Sequence, residues 1–172
     1  FKSYSTKINM KKIVILLGIM VFNLGLFAQI NDPNAQVREA KNFHGISVSN
    51  AFDVYLNQSN EEAVAVSAAS TKDRDMITVE VKSGVLHIGL HKDWKWNKGN
   101  KKLKAYISFK EIDKLIVSGA CDVYIAGVLK AESLSINQSG ASDVKGKLQV
   151  GKLIVDLSGA SDMTVTGRAT QL

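Results

Sequence analysis

Trp94 and Trp96 stand two residues apart in a run dense in cations. Lys92, Lys95, Lys98, Lys101, Lys102 and Lys104 share residues 92–104 with one acid, Asp93, for a local charge of +5. Flat indoles flanked by ammonium groups can stack on sugar rings and hold anionic substituents. The candidate binding residues are therefore Trp94, Trp96, Lys92, Lys95, Lys98, Lys101 and Lys102. The bland alternative is a solvated hairpin tip whose indoles cover one end of a core.

The other chemically suggestive residues recur. Ser-Gly-Ala-x-Asp blocks begin at Ser118, Ser139 and Ser158, and place Asp122, Asp143 and Asp162 three residues after Gly119, Gly140 and Gly159. Glycine reaches positive φ without a Cβ clash, so these are predicted to be sharp turns. If the blocks stack, their carboxylates lie about 4.8 Å apart and repel by roughly 0.9 kcal/mol in water. Either turn hydrogen bonds and solvent offset that repulsion, or a cation sits between the carboxylates. Calcium wants six to eight oxygens, and these loops lack the dense Asp/Gly pattern of calcium-binding β-rolls. The expectation is a structural turn role and no metal site.

Nothing in the chain reads as catalytic machinery. His87 and His91 are four apart in a strand pattern, roughly 13 Å along it, which does not suit a shared metal; His44 is distant in sequence. The repeated serines have no base beside them, and no glycine-rich phosphate loop precedes a helix. The arginines Arg38, Arg74 and Arg168 are scattered. Cys121 takes the place of Ser142 and Ser161 and reads as a small buried thiol. No cofactor is expected.

The 172-residue chain carries a net charge of +6, which invites a nucleic-acid reading. A basic start at Met10-Lys11-Lys12, an apolar run from Ile13 to Phe27 and a small residue at Ala28 form a secretory signal pattern over Met10 to Ala28. Phe1 to Asn9 read as upstream sequence. With residues 1–28 removed, 18 basic and 16 acidic residues remain, a net charge of +2. The apparent basicity thus leaves with the leader, and nucleic acid is not an expected partner.

The elements that must position these residues are strands. Residues 29–42 are polar, include Pro33, and read as a mobile lead-in. From Phe43 onward apolar and polar residues alternate: Ile46 and Val48, Phe52 to Leu56, Val64 to Ala68, Ile77 to Val81, Leu86 to Leu90, Leu103 to Phe109. Segments 57–62, 70–75 and 93–100 supply turns, and no helical stripe is evident. Leu115, Leu134 and Leu153 are 19 apart, and the Ser-Gly-Ala blocks are 21 and 19 apart. A fainter copy, Ile46 to Leu56, matches Leu115 to Ile125 position by position, with Asn50 for Gly119. Such a period predicts a β-solenoid, with crossovers turning right-handed. The predicted fold is all-β: a right-handed parallel β-helix of 19–21-residue coils behind a less regular N-terminal β region, in which antiparallel hairpins stay open.

Phe43-His44-Gly45-Ile46-Ser47-Val48-Ser49-Asn50-Ala51-Phe52-Asp53-Val54-Tyr55-Leu56, the later Gly84-Val85-Leu86-His87-Ile88 and the Ser-Gly-Ala blocks together resemble the "putative auto-transporter adhesin head domain" family, the GIN domain, of Bacteroidetes-type bacteria. The resemblance runs from about Phe43 to Leu172. It implies an exported, β-helical, non-catalytic envelope protein, and it supplies no motif-defined binding residues. The leading expectation is an adhesin-like binding module whose partner is a surface glycan or envelope component. The expected domain is 43–172. Leu172 falls where another coil would begin, so a C-terminal truncation or a missing cap is expected. The rival readings are a structural or sensory envelope solenoid and, third, a polysaccharide-acting β-helix enzyme.

Overall fold

The computed structural model describes residues 31–95 and 102–171. The Met10–Ala28 signal pattern lies outside the described residues. Among the described residues, no helix is long and apolar enough to cross a membrane.

Alternation in the sequence becomes one 11-stranded sheet. The strands are β1 (Gln36–Arg38), β2 (Gly45–Val48), β3 (Asp53–Gln58), β4 (Ala63–Ser67), β5 (Ile77–Lys82), β6 (Val85–Leu90), β7 (Lys104–Phe109), β8 (Lys114–Val117), β9 (Asp122–Gln138), β10 (Asp143–Leu157) and β11 (Asp162–Gln171). Their order is β1-β4-β7-β3-β9-β8-β2-β6-β5, with β10 on β9 and β11 on β10.

The sheet is mixed rather than a regular parallel β-helix throughout, and its antiparallel pairs fall in the less regular N-terminal region where hairpins stayed open. β1–β4, β4–β7 and β5–β6 are antiparallel, all within residues 36–109. The β5–β6 hairpin has a local cause. Ser83 and Gly84 both take positive φ, 50° and 75°, and a two-residue turn of that kind matches the twist of an antiparallel pair. Segment 70–75, read as a turn, closes a short helix, α1 (Thr71–Asp75), whose N-cap Ser70 Oγ accepts the Asp73 N–H at 3.1 Å. Part of the lead-in is bound rather than mobile: β1 pairs with β4, and Arg74 Nη1 donates to the Asn34 carbonyl at 3.0 Å.

Parallel pairing governs the repeated blocks. β3 pairs with β9, β9 with β10 and β10 with β11, which puts Asp53, Asp122, Asp143 and Asp162 in one row. The turns stack as well. Ala120 N donates to Asn50 O at 2.7 Å, Ala141 N to Gly119 O at 2.8 Å, and Ala160 N to Gly140 O at 2.8 Å. Gly119, Gly140 and Gly159 have φ of 86°, 87° and 77°. A Cβ on any of them would strike the carbonyl of the turn stacked against it. Asn50 shares the conformation, φ 82°, and uses its side chain instead: Oδ1 accepts the Leu90 N–H at 3.1 Å. The residue that differs in the fainter copy therefore serves the neighbouring hairpin.

Inward residues of successive strands form a continuous apolar core. Val54, Leu56, Leu115, Val123, Leu134, Ile136 and Val144 are fully buried, and Phe52 and Phe109 nearly so. Val155 and Leu157 lie in register with buried Ile136 and Gln138 yet are 40% and 44% exposed, because β11 pairs only with residues 143–152 of β10.

Candidate binding surfaces

The row of aspartates is held by cations at two places. Lys104 lies in register with Asp53, and Lys145 Nζ reaches Asp143 Oδ2 at 2.8 Å. Burial, then the charge of Asp122, raises the Asp53 carboxyl above its ordinary value; like-charge repulsion thus operates in the row. The side-chain bonds that close the three turns come from the next position. Cys121 Sγ donates to Ser118 O at 3.4 Å, Ser142 Oγ to Ser139 O at 3.2 Å, and Ser161 Oγ to Ser158 O at 3.0 Å. Cys121 and Ser142 are interchangeable small donors there, both fully buried. Burial also pushes the Cys121 thiol pKa up, the opposite of an activated nucleophile. Among the described residues, no group of three or more His, Cys, Asp or Glu side chains is placed to hold a metal ion.

The tryptophan-lysine segment leaves β6 and enters β7. Trp94 is half-buried at its base, its backbone N–H donating to His91 O at 2.8 Å. Lys92 and Lys95 are exposed beside it, and Lys102 is exposed where the chain returns. Trp96, Lys98 and Lys101 lie outside the described residues. His87 and His91 are exposed, and His91 sits 3.3 Å from Asp93. His44 pairs with Asp113 at 3.1 Å, far along the chain.

A tyrosine stack escaped the sequence reading. Tyr106 of β7, Tyr55 of β3 and Tyr124 of β9 share one register on the outer face. Ring centroids are 5.2 Å apart for Tyr55–Tyr106 at 15° and 5.5 Å for Tyr55–Tyr124 at 20°. Lys145 continues the row next to Tyr124. The Tyr106 hydroxyl donates to Asp32 Oδ2 at 2.8 Å, and Lys104 Nζ stands 3.6 Å from the same oxygen. Burial opposes ionisation of Asp32, but the bonds from Tyr106, the Asn34 backbone and Ser67, with the charge of Lys104, more than offset it and hold the carboxyl below its ordinary value. Burial, with Asp32 as acceptor, pushes the Tyr106 phenol well up. The signal lay in Asp53-Val54-Tyr55 and Asp122-Val123-Tyr124; Tyr106 belongs to no repeated block.

A polar trough of about 1050 Å³ runs along a corner of the stacked strands. It is formed by residues 130–133 of β9, 149–152 of β10 and 170–171 of β11, and is headed by 111–113. Gln58 shapes its head. The carboxamide Nε2 donates to Lys110 O and Lys130 O, both at 2.9 Å, and Oε1 accepts the Lys130 N–H at 2.8 Å.

The family described as "Putative auto-transporter adhesin, head GIN domain" matches residues 42–172. The chain belongs to this GIN-domain family. Solved structures share the fold. A "putative adhesin" from Bacteroides fragilis is similar at TM-score 0.71 and 24% identity, over 78% of this chain and 62% of that one. A second, from Parabacteroides distasonis, is similar at TM-score 0.71 and 23% identity, over 78% and 57%. A "putative lipid binding protein" from Parabacteroides distasonis is similar at TM-score 0.59 and 21% identity, over 80% and 68%. At these identities the likeness is one of fold. The chain spans about three fifths of the length of those two "putative adhesin" structures. Comparison with curated proteins finds no match.

Proposed function

We propose that this chain is an exported cell-envelope binding module, adhesin-like and non-catalytic, that contacts glycans or anionic surfaces through the segment joining β6 to β7. The observation that carries the proposal is Trp94, half-buried at the base of that segment with exposed Lys92 and Lys95 beside it. An indole anchored on one side keeps an edge or face for stacking, while the lysines stay mobile enough to meet anionic substituents. Family membership over residues 42–172 and the signal pattern at Met10–Ala28 support an envelope location. The same reading takes residues 115–171 as right-handed turns of a β-helix with 19–21-residue coils; the in-register rows of Asp122, Asp143 and Asp162 support it.

A glycan array probed with the wild-type protein and a Trp94→Ala/Trp96→Ala double variant tests the proposal. Binding to anionic glycans that drops at least tenfold in the variant is the expected result. Anionic-glycan binding that survives loss of both indoles overturns the role of this segment. A blank array favours the structural or sensory alternative, and depolymerisation of an arrayed polysaccharide favours the enzymatic one.

A further inference from the structure

We infer that the polar corner trough is a second binding site, one that takes a neutral oligosaccharide laid along the stack of strands. This deepens the binding-module reading and rests on it. Four levels of chain line the trough: 111–113, then 130–133, 149–152 and 170–171. Three strand spacings of about 4.8 Å make it roughly 14 Å long, enough for several linked sugars rather than one.

The lining selects the ligand. The lining carries two lysines, Lys130 and Lys152, three acids, Glu111, Asp113 and Glu132, the amide of Gln149, and His44, whose Nδ1 lies 3.1 Å from Asp113. Of the lining side chains only Ile112 and Ala131 are apolar, whereas sites for apolar ligands are lined mainly by hydrophobic and aromatic side chains. A polyanion meets three carboxylates, and a polycation meets two ammonium groups. A sugar hydroxyl both donates and accepts, so a neutral saccharide can hydrogen-bond to the ammonium and carboxylate groups alike without repulsion from either. Two lining positions carry little or no side chain: Ala131, and Gly151, where a Cβ would strike the Glu132 carbonyl oxygen. Gln58 is a positioning residue, because its amide is committed to backbone at the trough's head.

The test is calorimetry and NMR titration of the full chain with neutral hexasaccharides (gluco-, xylo- and manno-oligosaccharides) and with oligogalacturonate as the charged comparison. At least one neutral hexasaccharide should bind and shift the amide resonances of Lys130, Glu132, Gln149 and Lys152, with oligogalacturonate at least tenfold weaker at those resonances. Glu132→Ala and Lys152→Ala, both at exposed positions, should each weaken that binding by tenfold or more without moving the melting temperature. The Trp94→Ala/Trp96→Ala variant should leave it unchanged. Binding by none of the neutral probes, or preference for oligogalacturonate at the trough resonances, overturns the trough assignment. So does loss of binding in the tryptophan variant alone, an outcome that leaves the β6–β7 proposal standing.

Discussion

The Gln58 side chain pairs with the Lys130 backbone in both directions, accepting its N–H at 2.8 Å and donating to its carbonyl at 2.9 Å. A carboxamide carries the same donor and acceptor as a peptide unit, so Gln58 stands in for one residue of an absent neighbouring strand. It is needed because β3 pairs with β9 only as far as Asn57↔Ala126, leaving the next stretch of β9 without a backbone partner from β3. Gln58→Ala removes three hydrogen bonds and should lower stability by about 1–3 kcal/mol. Gln58→Glu keeps the acceptor but sets a carboxylate against the carbonyls of Lys110 and Lys130, and should lose at least as much. Urea denaturation of the two variants measures this; a wild-type midpoint for Gln58→Ala would refute the capping role.

The turn stack predicts an asymmetry between two positions that share a backbone conformation. Gly140→Ala places a Cβ against the Gly119 carbonyl at φ 87° and should destabilise by about 2 kcal/mol or more. Asn50→Gly relieves its positive φ but gives up the acceptor for Leu90 N–H, so it should stay within about 1 kcal/mol of wild type. Thermal melts of both variants decide it: comparable losses at the two sites would mean that stacking contact is not what demands glycine.

The sequence was most informative where it repeated itself. Spacings of 21 and 19 residues already align Asp122, Asp143 and Asp162, and β9, β10 and β11 pair in that register. Direction of pairing was harder to see, because period-two alternation is the same in parallel and antiparallel strands. Only the Ser83-Gly84 dipeptide marked the β5–β6 hairpin. The trough was not legible at all: Lys130, Glu132, Gln149 and Lys152 follow no motif and come together only through the parallel pairing of β9, β10 and β11. The role of Cys121 was partly legible, since its place in the block matched Ser142, but the bond to the Ser118 carbonyl required coordinates.

Tyr55 touches both other rings of the tyrosine stack, whereas Tyr124 touches one. Each stacked aromatic pair contributes about 0.5–1.5 kcal/mol beyond its burial. Tyr55→Ala should therefore cost more than Tyr124→Ala by about that amount, and Tyr55→Phe, which keeps the ring, should be close to neutral. A double-mutant cycle over Tyr55 and Tyr124 isolates the pair. A coupling of zero would reduce the stack to side-by-side burial.

Asp32 and Asp53 should respond to pH with opposite signs. The Asp53 carboxyl lies above its ordinary value of 3.8, first through burial and then through Asp122. Its charged form is disfavoured in the fold, so it lowers stability at neutral pH, and that penalty is relieved as pH falls through the folded value. The Asp32 carboxyl lies below 3.8, with Tyr106, the Asn34 backbone, Ser67 and Lys104 outweighing burial. Its contribution is fully present well above pH 3.8 and is lost as pH falls from there through the lower folded value. Asp53→Asn should thus raise the melting temperature at pH 7 by about 1–3 °C, with the gain shrinking toward pH 4. Asp32→Asn should lower it at pH 7, with the deficit shrinking only below about pH 4. Melting curves of wild type and both variants from pH 3 to pH 7 test the pair. Shifts of the same sign at neutral pH would contradict the assignment, because both substitutions remove one negative charge and only their surroundings differ.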